Sequence, residues 1–136
     1  MQNIRKNRHS VYNLTYHIVL VTKYRHKCIT AEILIDLIEI FRNTLTKMSC
    51  LLVEANGESN HVHLLVEMSP HNTPSAIVNS LKTVSSRLIR KGHKDYLKEF
   101  YSESYFWEPS YFIVTSGENS LEAIKHYIEN QETPKA

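Results

Sequence analysis

Apolar and polar residues alternate from Val11 to Lys23, with Tyr12, Leu14, Tyr16, Ile18 and Leu20 on one face, and this two-residue period predicts a β-strand. The period then lengthens. Leu34, Leu37, Ile38, Phe41 and Leu45 recur at helical spacing with Glu32, Asp36 and Glu39 opposite, and Thr30 stands where a side-chain N-cap belongs. Cys50 to Ala55 and His61 to Met68 predict a β-hairpin turning over residues 56–60. Thr73 and Pro74 open a second helix, proline being favoured in a first turn, and Ile77, Leu81, Val84 and Leu88 form its buried stripe up to Gly92. Ser104 to Thr115 predicts a fourth strand, interrupted near Pro109, and Asn119 with Glu122 has the spacing of a capping box for a last helix reaching about Glu132.

The resulting order, β-α-β-β-α-β, is the split βαβ pattern of an α+β, ferredoxin-like antiparallel sheet, with one C-terminal helix added. The helices of that pattern cover one sheet face and leave the other available. With 136 residues, three glycines, no internal repeat and no low-complexity linker, residues 1–136 read as a single domain. Many unrelated functions share this architecture, so function has to be sought in particular side chains.

Composition removes some classes. No apolar run reaches the roughly 18 residues needed to cross a bilayer. The basic N-terminus precedes a segment with Asn13, Thr15 and His17 and no small-residue cleavage site, which argues against a signal peptide and for the cytoplasm. Cys28 and Cys50 form neither a CxxC pair nor a disulfide framework and read as structural thiols. The net charge of +2 is small but unevenly spread. No acid precedes Glu32, while Arg5, Lys6, Arg8, Lys23, Arg25 and Lys27 do; a second acid-free stretch from Met68 to Lys94 holds Lys82, Arg87, Arg90, Lys91 and Lys94. Two basic segments brought together by the fold would make a phosphate-binding surface; kept apart, they are solvated faces.

Two constellations carry candidate chemistry. On a strand, His61 and His63 would share the face opposite Val62, Leu64, Val66 and Met68, about 6.5 to 7 Å apart, within reach of one metal ion, although two surface histidines would give the same pattern. On the last helix, Tyr127 and Gln131 lie four residues apart and share a face, rotated by roughly 70° from the stripe of Leu121, Ile124 and Ile128. Spacing alone favours the plainer reading, a partly packed tyrosine and a surface amide.

Five blocks in order carry a wider likeness: Tyr16-His17-Ile18-Val19 with Val21-Thr22-Lys23-Tyr24-Arg25; His61-Val62-His63-Leu64-Leu65-Val66; Leu81-Lys82 with Ser85-Ser86-Arg87; Phe106-Trp107-Glu108-Pro109-Ser110-Tyr111-Phe112; and Tyr127-Ile128-Glu129-Asn130-Gln131. Over nearly its whole length the chain resembles the HUH superfamily, and within it the single-tyrosine transposases of bacterial and archaeal insertion sequences. Asn60 departs from the pattern, since many relatives carry an acid immediately before the first histidine. The resemblance implies that His61, His63 and Gln131 ligate one divalent ion, Mg2+ or Mn2+, and that Tyr127 attacks the scissile phosphate to leave a 5′-phosphotyrosine. It also implies a single-stranded DNA substrate with hairpins near the element ends, and a homodimer whose active sites are completed in trans. Phosphate contacts then fall to Lys23, Arg25, Lys82, Arg87, Arg90 and Lys91, and Trp107 or a nearby aromatic is a candidate for stacking on bases, with core packing the plainer fate of most of those rings.

Two imidazoles and an amide leave coordination positions open for phosphate oxygens, whereas structural zinc is usually closed by four protein ligands, often thiolates. There is no Walker-type glycine loop, in keeping with chemistry that conserves the broken phosphodiester and needs no nucleotide hydrolysis. Two other classes compete. A non-catalytic nucleic-acid-binding module, regulatory or RNA-binding, would use the same sheet, but the Lys/Arg-Gly-aromatic RNA signature is absent. A small zinc hydrolase on His61 and His63 would need a third ligand that is not evident.

Overall fold

The computed structural model describes the backbone of residues 5–6, 11–12, 14–117 and 120–130, with side chains from residue 14 onward within those ranges. The residues of the expected first strand contribute to two sheets. β1 (Arg5–Lys6) pairs with β2 (Val11–Tyr12) in a separate two-stranded ladder, and β3 (Leu14–Val21) enters the main sheet. Lys23, expected at the end of that strand, instead begins a 3-10 turn, Lys23–Arg25. α1 (Ala31–Lys47) starts where expected, because the Thr30 side chain accepts from the Ile33 amide at 3.1 Å and so satisfies one orphan N–H of the first turn.

β4 (Leu51–Glu58) and β5 (His61–Met68) form a tighter hairpin than the sequence suggests, with only Ser59 and Asn60 between the strands. Gly57 makes this possible. A Cβ there would stand 2.9 Å from the His61 carbonyl oxygen and 3.0 Å from Leu34 Cδ1 and Val62 Cγ1, so the strand lies closer to its neighbours than any side chain allows. Gly57→Ala is expected to cost about 1–3 kcal/mol of stability as overpacking against backbone. Denaturant titration checks this, and a change within about 0.5 kcal/mol, ordinary for a surface position, would show that the hairpin has room.

α2 (Pro74–Gly92) is followed by a short α3 (Lys94–Leu97), which the sequence pattern does not announce. Only Phe112–Thr115 of the expected fourth strand is regular; it forms β6, while the stretch before it makes one bridge, Thr22 with Trp107. α4 (Ser120–Asn130) closes the described chain. Asn119, the expected cap of α4, and the residues beyond Asn130 lie outside the described residues.

The main sheet runs β4-β5-β3-β6, antiparallel throughout, which is the ferredoxin-like order. α1 and α2 cover one face, where Ile18, Leu20, Val62, Leu64 and Val66 meet Leu37, Phe41, Ile77 and Leu81. The expected stripe of α2 is shifted: Leu88 is 37% exposed, and Ile77, Val78, Leu81, Ser85 and Ile89 face inward. A serine breaks the hydrophobic count, yet it is at home in the core because its hydroxyl donates to the Leu81 carbonyl and accepts from Trp107 Nε1 at 2.9 Å. On the other face, Val19 and Val21 pack against Ile124 of α4, with Phe112, Val114, Tyr127 and Ile128 around them. Cys28 and Cys50 are buried free thiols, as read from sequence. Among the described residues no helix is long and apolar enough to cross a membrane.

Candidate functional site

The face under α4 holds the chemistry. Strand alternation sends Val62 and Leu64 into the core and turns His61 and His63 the other way. Register does the rest: His63 pairs with Val19 of β3 and Asn56 of β4, and His61 pairs with Val21 and Glu58. A cleft of ≈ 210 Å³ is bounded by His61, His63, Asn56, Glu58 and, from α4, Ile124 and Ile128.

Each histidine is tied at one ring nitrogen. Asn60 Oδ1 accepts from His61 Nδ1 at 2.9 Å; an amide oxygen only accepts, so Nδ1 carries the proton and Nε2 keeps its lone pair. The residue that departs from the family pattern therefore orients the ring, as a neutral acceptor in place of a carboxylate. His63 Nε2 stands 2.8 Å from His17 Nδ1, with the two rings stacked at 5.0 Å. When His63 donates in this bond, its Nδ1 keeps a free lone pair.

Burial lowers the pKa of both: for His61 Glu58 opposes and Arg25 adds, and for His63 the neighbouring His17 adds while Glu54 opposes. Burial also lowers His17, against a smaller opposing effect of Glu54. Neutral imidazoles with one nitrogen anchored and the other presented suit a divalent cation, since metal-bound histidine is commonly held by its second nitrogen. Among the described residues no group of three His, Cys, Asp or Glu converges, so a further protein ligand has to be of another type or lie elsewhere. Gln131, the expected third ligand, lies outside the described residues.

Tyr127 stands on the same sheet face. Its ring stacks on Phe112 at 5.0 Å, and its hydroxyl is buried with no hydrogen-bond partner among the described residues. The expected α4 stripe is corrected here. Leu121 is 66% exposed, leaving Ile124 as the buried position, and Tyr127 packs partly buried beside it, flanking it as expected. A buried phenol without a partner sacrifices about 1–3 kcal/mol of hydrogen-bonding free energy, and such orphans call for an explanation in function.

The family model for IS200-like transposases matches residues 10–131, nearly the whole chain. The chain belongs to the IS200-like transposase family. It is 33% identical over 128 residues to the ISDra2 transposase TnpA of Deinococcus radiodurans, covering 94% of this chain and 91% of that one. It is 31% identical over 123 residues to the transposase of insertion sequence IS200 from Salmonella typhimurium, covering 90% and 80%. A crystal structure of a Deinococcus radiodurans protein described as a transposase aligns with a TM-score of 0.86 at 32% identity, over 96% of this chain and 99% of that one. A tyrosine transposase bound to a REP hairpin shares the fold, with a TM-score of 0.57 at 10% identity over 92% and 68% of the two chains. Membership makes this chain a transposase, an enzyme class that cleaves and transfers DNA.

The DNA-contact residues expected for such an enzyme fall into three groups. Arg87, Arg90 and Lys91 do converge: with Lys94, Lys98, Tyr101 and Tyr105 they line a cleft of ≈ 460 Å³ between α2, α3 and the following loop. Lys23 reaches the edge of this cleft, its Nζ 5.0 Å from the Tyr105 ring, so the two basic segments meet. Arg25 lies near His61, close enough for its charge to act on that ring.

Lys82 and Trp107 do not fit the role. The Lys82 ammonium donates to the carbonyls of Glu108 and Pro109 at 2.6 and 2.8 Å, fastening α2 to the segment that leads into β6. Trp107 is 7% exposed and packs on Phe41 and Phe106, with its N–H on Ser85. Sequence reasoning gave His17 no role. Its parity with Val19 marks its face, but the partner 46 residues away follows only from register.

Proposed function

We propose that this chain is a metal-dependent, single-tyrosine transposase of the HUH type that cleaves and rejoins single-stranded DNA at insertion-sequence ends, with residues 1–136 as one catalytic domain acting in the cytoplasm. The observation that carries the reading is the presence, on one sheet face, of two anchored neutral histidines and a buried tyrosine hydroxyl that has no partner among the described residues. His61 and His63, joined by Gln131, would hold Mg2+ or Mn2+, which when bound supplies Lewis-acid polarisation of the phosphate. Asn60 and His17 keep the imidazoles turned toward it, and the apolar wall of Ile124 and Ile128 limits water. Tyr127 Oη attacks phosphorus, the bond to the 3′ oxygen breaks, and the strand is left as a 5′-phosphotyrosine. A 3′-hydroxyl reverses the step at a new junction.

Single-stranded element ends with subterminal hairpins are the substrate of this reading, and the basic cleft of Arg87, Arg90, Lys91, Lys94 and Lys98 supports backbone contacts to a folded hairpin. The deciding experiment incubates labelled single-stranded element ends with the protein and Mg2+ or Mn2+. A denaturation-resistant adduct is expected, and its absence with verified ends and either metal would return the chain to a non-cleaving DNA binder.

Two quantitative outcomes follow from the geometry. His17→Ala should weaken Mn2+ binding about 10- to 100-fold, the usual consequence of losing a group that orients a ligand, while the fold melts cooperatively. Calorimetric titration reads this directly, and unchanged affinity would make His17 a packing residue only. Arg87→Ala should reduce the slope of log affinity against log salt by about 0.7 to 0.9, one phosphate contact, and an unchanged slope removes Arg87 from the interface.

We further propose a homodimer with sites completed in trans. Where it stands in the single chain, the Tyr127 hydroxyl is shut in beside Phe112, so α4 has to move before a phosphate can reach it. β6 is an edge strand, and pairing with its two-fold mate would bring a second sheet within reach of α4.

A further inference from the structure

Directly after β3 the chain makes a turn that L-residues avoid. Tyr24 has φ 59° and Arg25 φ 52°, two successive left-handed residues with side chains and no glycine between them. The surroundings impose this conformation from several sides. The Lys23 amide donates to the Phe106 carbonyl at 2.8 Å, and the Tyr101 hydroxyl donates to the Lys23 carbonyl at 2.7 Å. The Tyr24 amide donates to Glu108 Oε1 at 2.7 Å, and the Thr22 hydroxyl donates to the His26 carbonyl at 2.7 Å. Strain held by so many contacts marks a conformation kept for what it presents.

What it presents is the Tyr24 ring. Tyr24 is 41% exposed, the one tyrosine, tryptophan or phenylalanine among the described residues that stands in the exposed range. Tyr105 and His26 meet it at steep angles, 87° and 68°, with centroids 6.0 and 5.7 Å away, so it is braced without being stacked on either. The Lys23 ammonium lies 5.0 Å from the centroids of both Tyr24 and Tyr105. The ring's position in the molecule matters as much. Tyr105 belongs to the basic cleft, while the strand end that carries the turn pairs Val21 with His61 and bonds the Thr22 amide to the Asn60 carbonyl at 3.0 Å. Tyr24 therefore stands between the basic cleft and the histidine pair, with a cationic residue on each side of it in sequence.

We infer that Tyr24 is a stacking platform for one unpaired base of the DNA strand running from the basic cleft to the histidine pair, with Lys23 and Arg25 serving the phosphates on either side of that base. This rests on the proposed single-stranded substrate and replaces buried Trp107 as the aromatic contact. A π-face is sequence-tolerant, so the site registers the position of a base and not its identity. The strained turn gives that position its definition, because a ring fixed by backbone contacts cannot follow a strand that slips.

The test compares a labelled DNA hairpin carrying an unpaired tail with the same hairpin lacking the tail, by fluorescence anisotropy on the full chain. Tyr24→Ala should weaken tail-dependent binding by about 5- to 150-fold, the range seen when one stacked base is lost, and leave the tailless hairpin unaffected. Tyr24→Trp should restore it. Tyr24→Gly, which suits the left-handed backbone and so does not loosen the turn, should lose as much as the alanine variant. Abasic sites walked along the tail should reveal one position at which the wild type weakens and Tyr24→Ala does not weaken further. Unchanged tail binding in the glycine variant, or equal loss with and without the tail, overturns the platform. Adduct formation by Tyr127 is scored separately: a wild-type adduct with intact tail binding in Tyr24→Gly defeats this inference alone, and tail binding that depends on Tyr24 without any adduct defeats the cleavage reading alone.

Discussion

Tyr127→Phe is expected to abolish adduct formation and strand transfer, a loss of more than about 10⁴-fold, while making the protein more stable by about 1 kcal/mol. The two effects have one origin. The hydroxyl is buried beside Phe112 without a hydrogen-bond partner among the described residues, and phenylalanine removes that polar atom without altering the ring stack. The proposed nucleophile would then be kept at a cost to stability, the common compromise between stability and activity at a reacting centre. Denaturing gels after incubation with labelled single strands measure the first effect, and chemical denaturation measures the second. An adduct that persists in the variant would give the nucleophile's role to another residue. Loss of the adduct with a fall in stability would instead point to a hydroxyl that is satisfied in solution and structural in purpose.

The fold was legible where one residue type has one structural use. Thr30 caps α1 as its position suggests, Pro74 opens α2, and alternation in β5 puts both histidines on the face away from Val62 and Leu64. Errors arose where polarity and burial part company. Ser85 is polar but satisfied inside the core, which displaces the α2 stripe from Leu88 to Ile89; Leu121 is apolar but exposed, and α4 packs on the sheet through Ile124, with Tyr127 and Ile128 beside it. Hydrophobic counting has no access to a side chain's hydrogen bonds, and these decide the first case. The left-handed turn at Tyr24 was hidden for a related reason, since contacts with Phe106, Tyr101 and Glu108, all distant in sequence, hold it.

The candidate site was half legible. His61 and His63 lie within one strand, so their spacing alone puts them together. What fixes their rings comes from the sheet register, which brings His17 to His63, and from the two-residue turn, which sets Asn60 against His61. The charged surface divides in the same way. Arg87, Arg90 and Lys91 on one helix converge as their clustering suggests, whereas Lys82, on the same helix, is drawn off to the carbonyls of Glu108 and Pro109. A lysine is counted as a surface cation in sequence; in the fold its assignment depends on which unpaired carbonyls lie within reach of its stem.

A heterodimer of Tyr127→Phe with His63→Ala should regain cleavage, although neither parent homodimer cleaves. In a trans arrangement each site combines the histidines of one subunit with the tyrosine of the other. One of the two sites in the mixed dimer is then intact, and activity should approach half that of the wild type. If tyrosine and histidines act within one chain, every site lacks one of its parts and the mixture stays silent. The single chain supplies an argument on each side. α4 packs on its own sheet through Ile124, and Ile128 reaches the histidine cleft, which favours action within the chain; the shut-in hydroxyl requires the helix to leave that seat, which favours exchange. Ile124 is the principal anchor to be given up, and the same side chain would find an equivalent Val19 and Val21 pair on a two-fold mate, so exchange costs little in buried apolar surface. Co-purification of differently tagged subunits verifies the heterodimer before cleavage is scored. A verified but silent mixture would end the trans reading, and an active monomer would end the dimer with it.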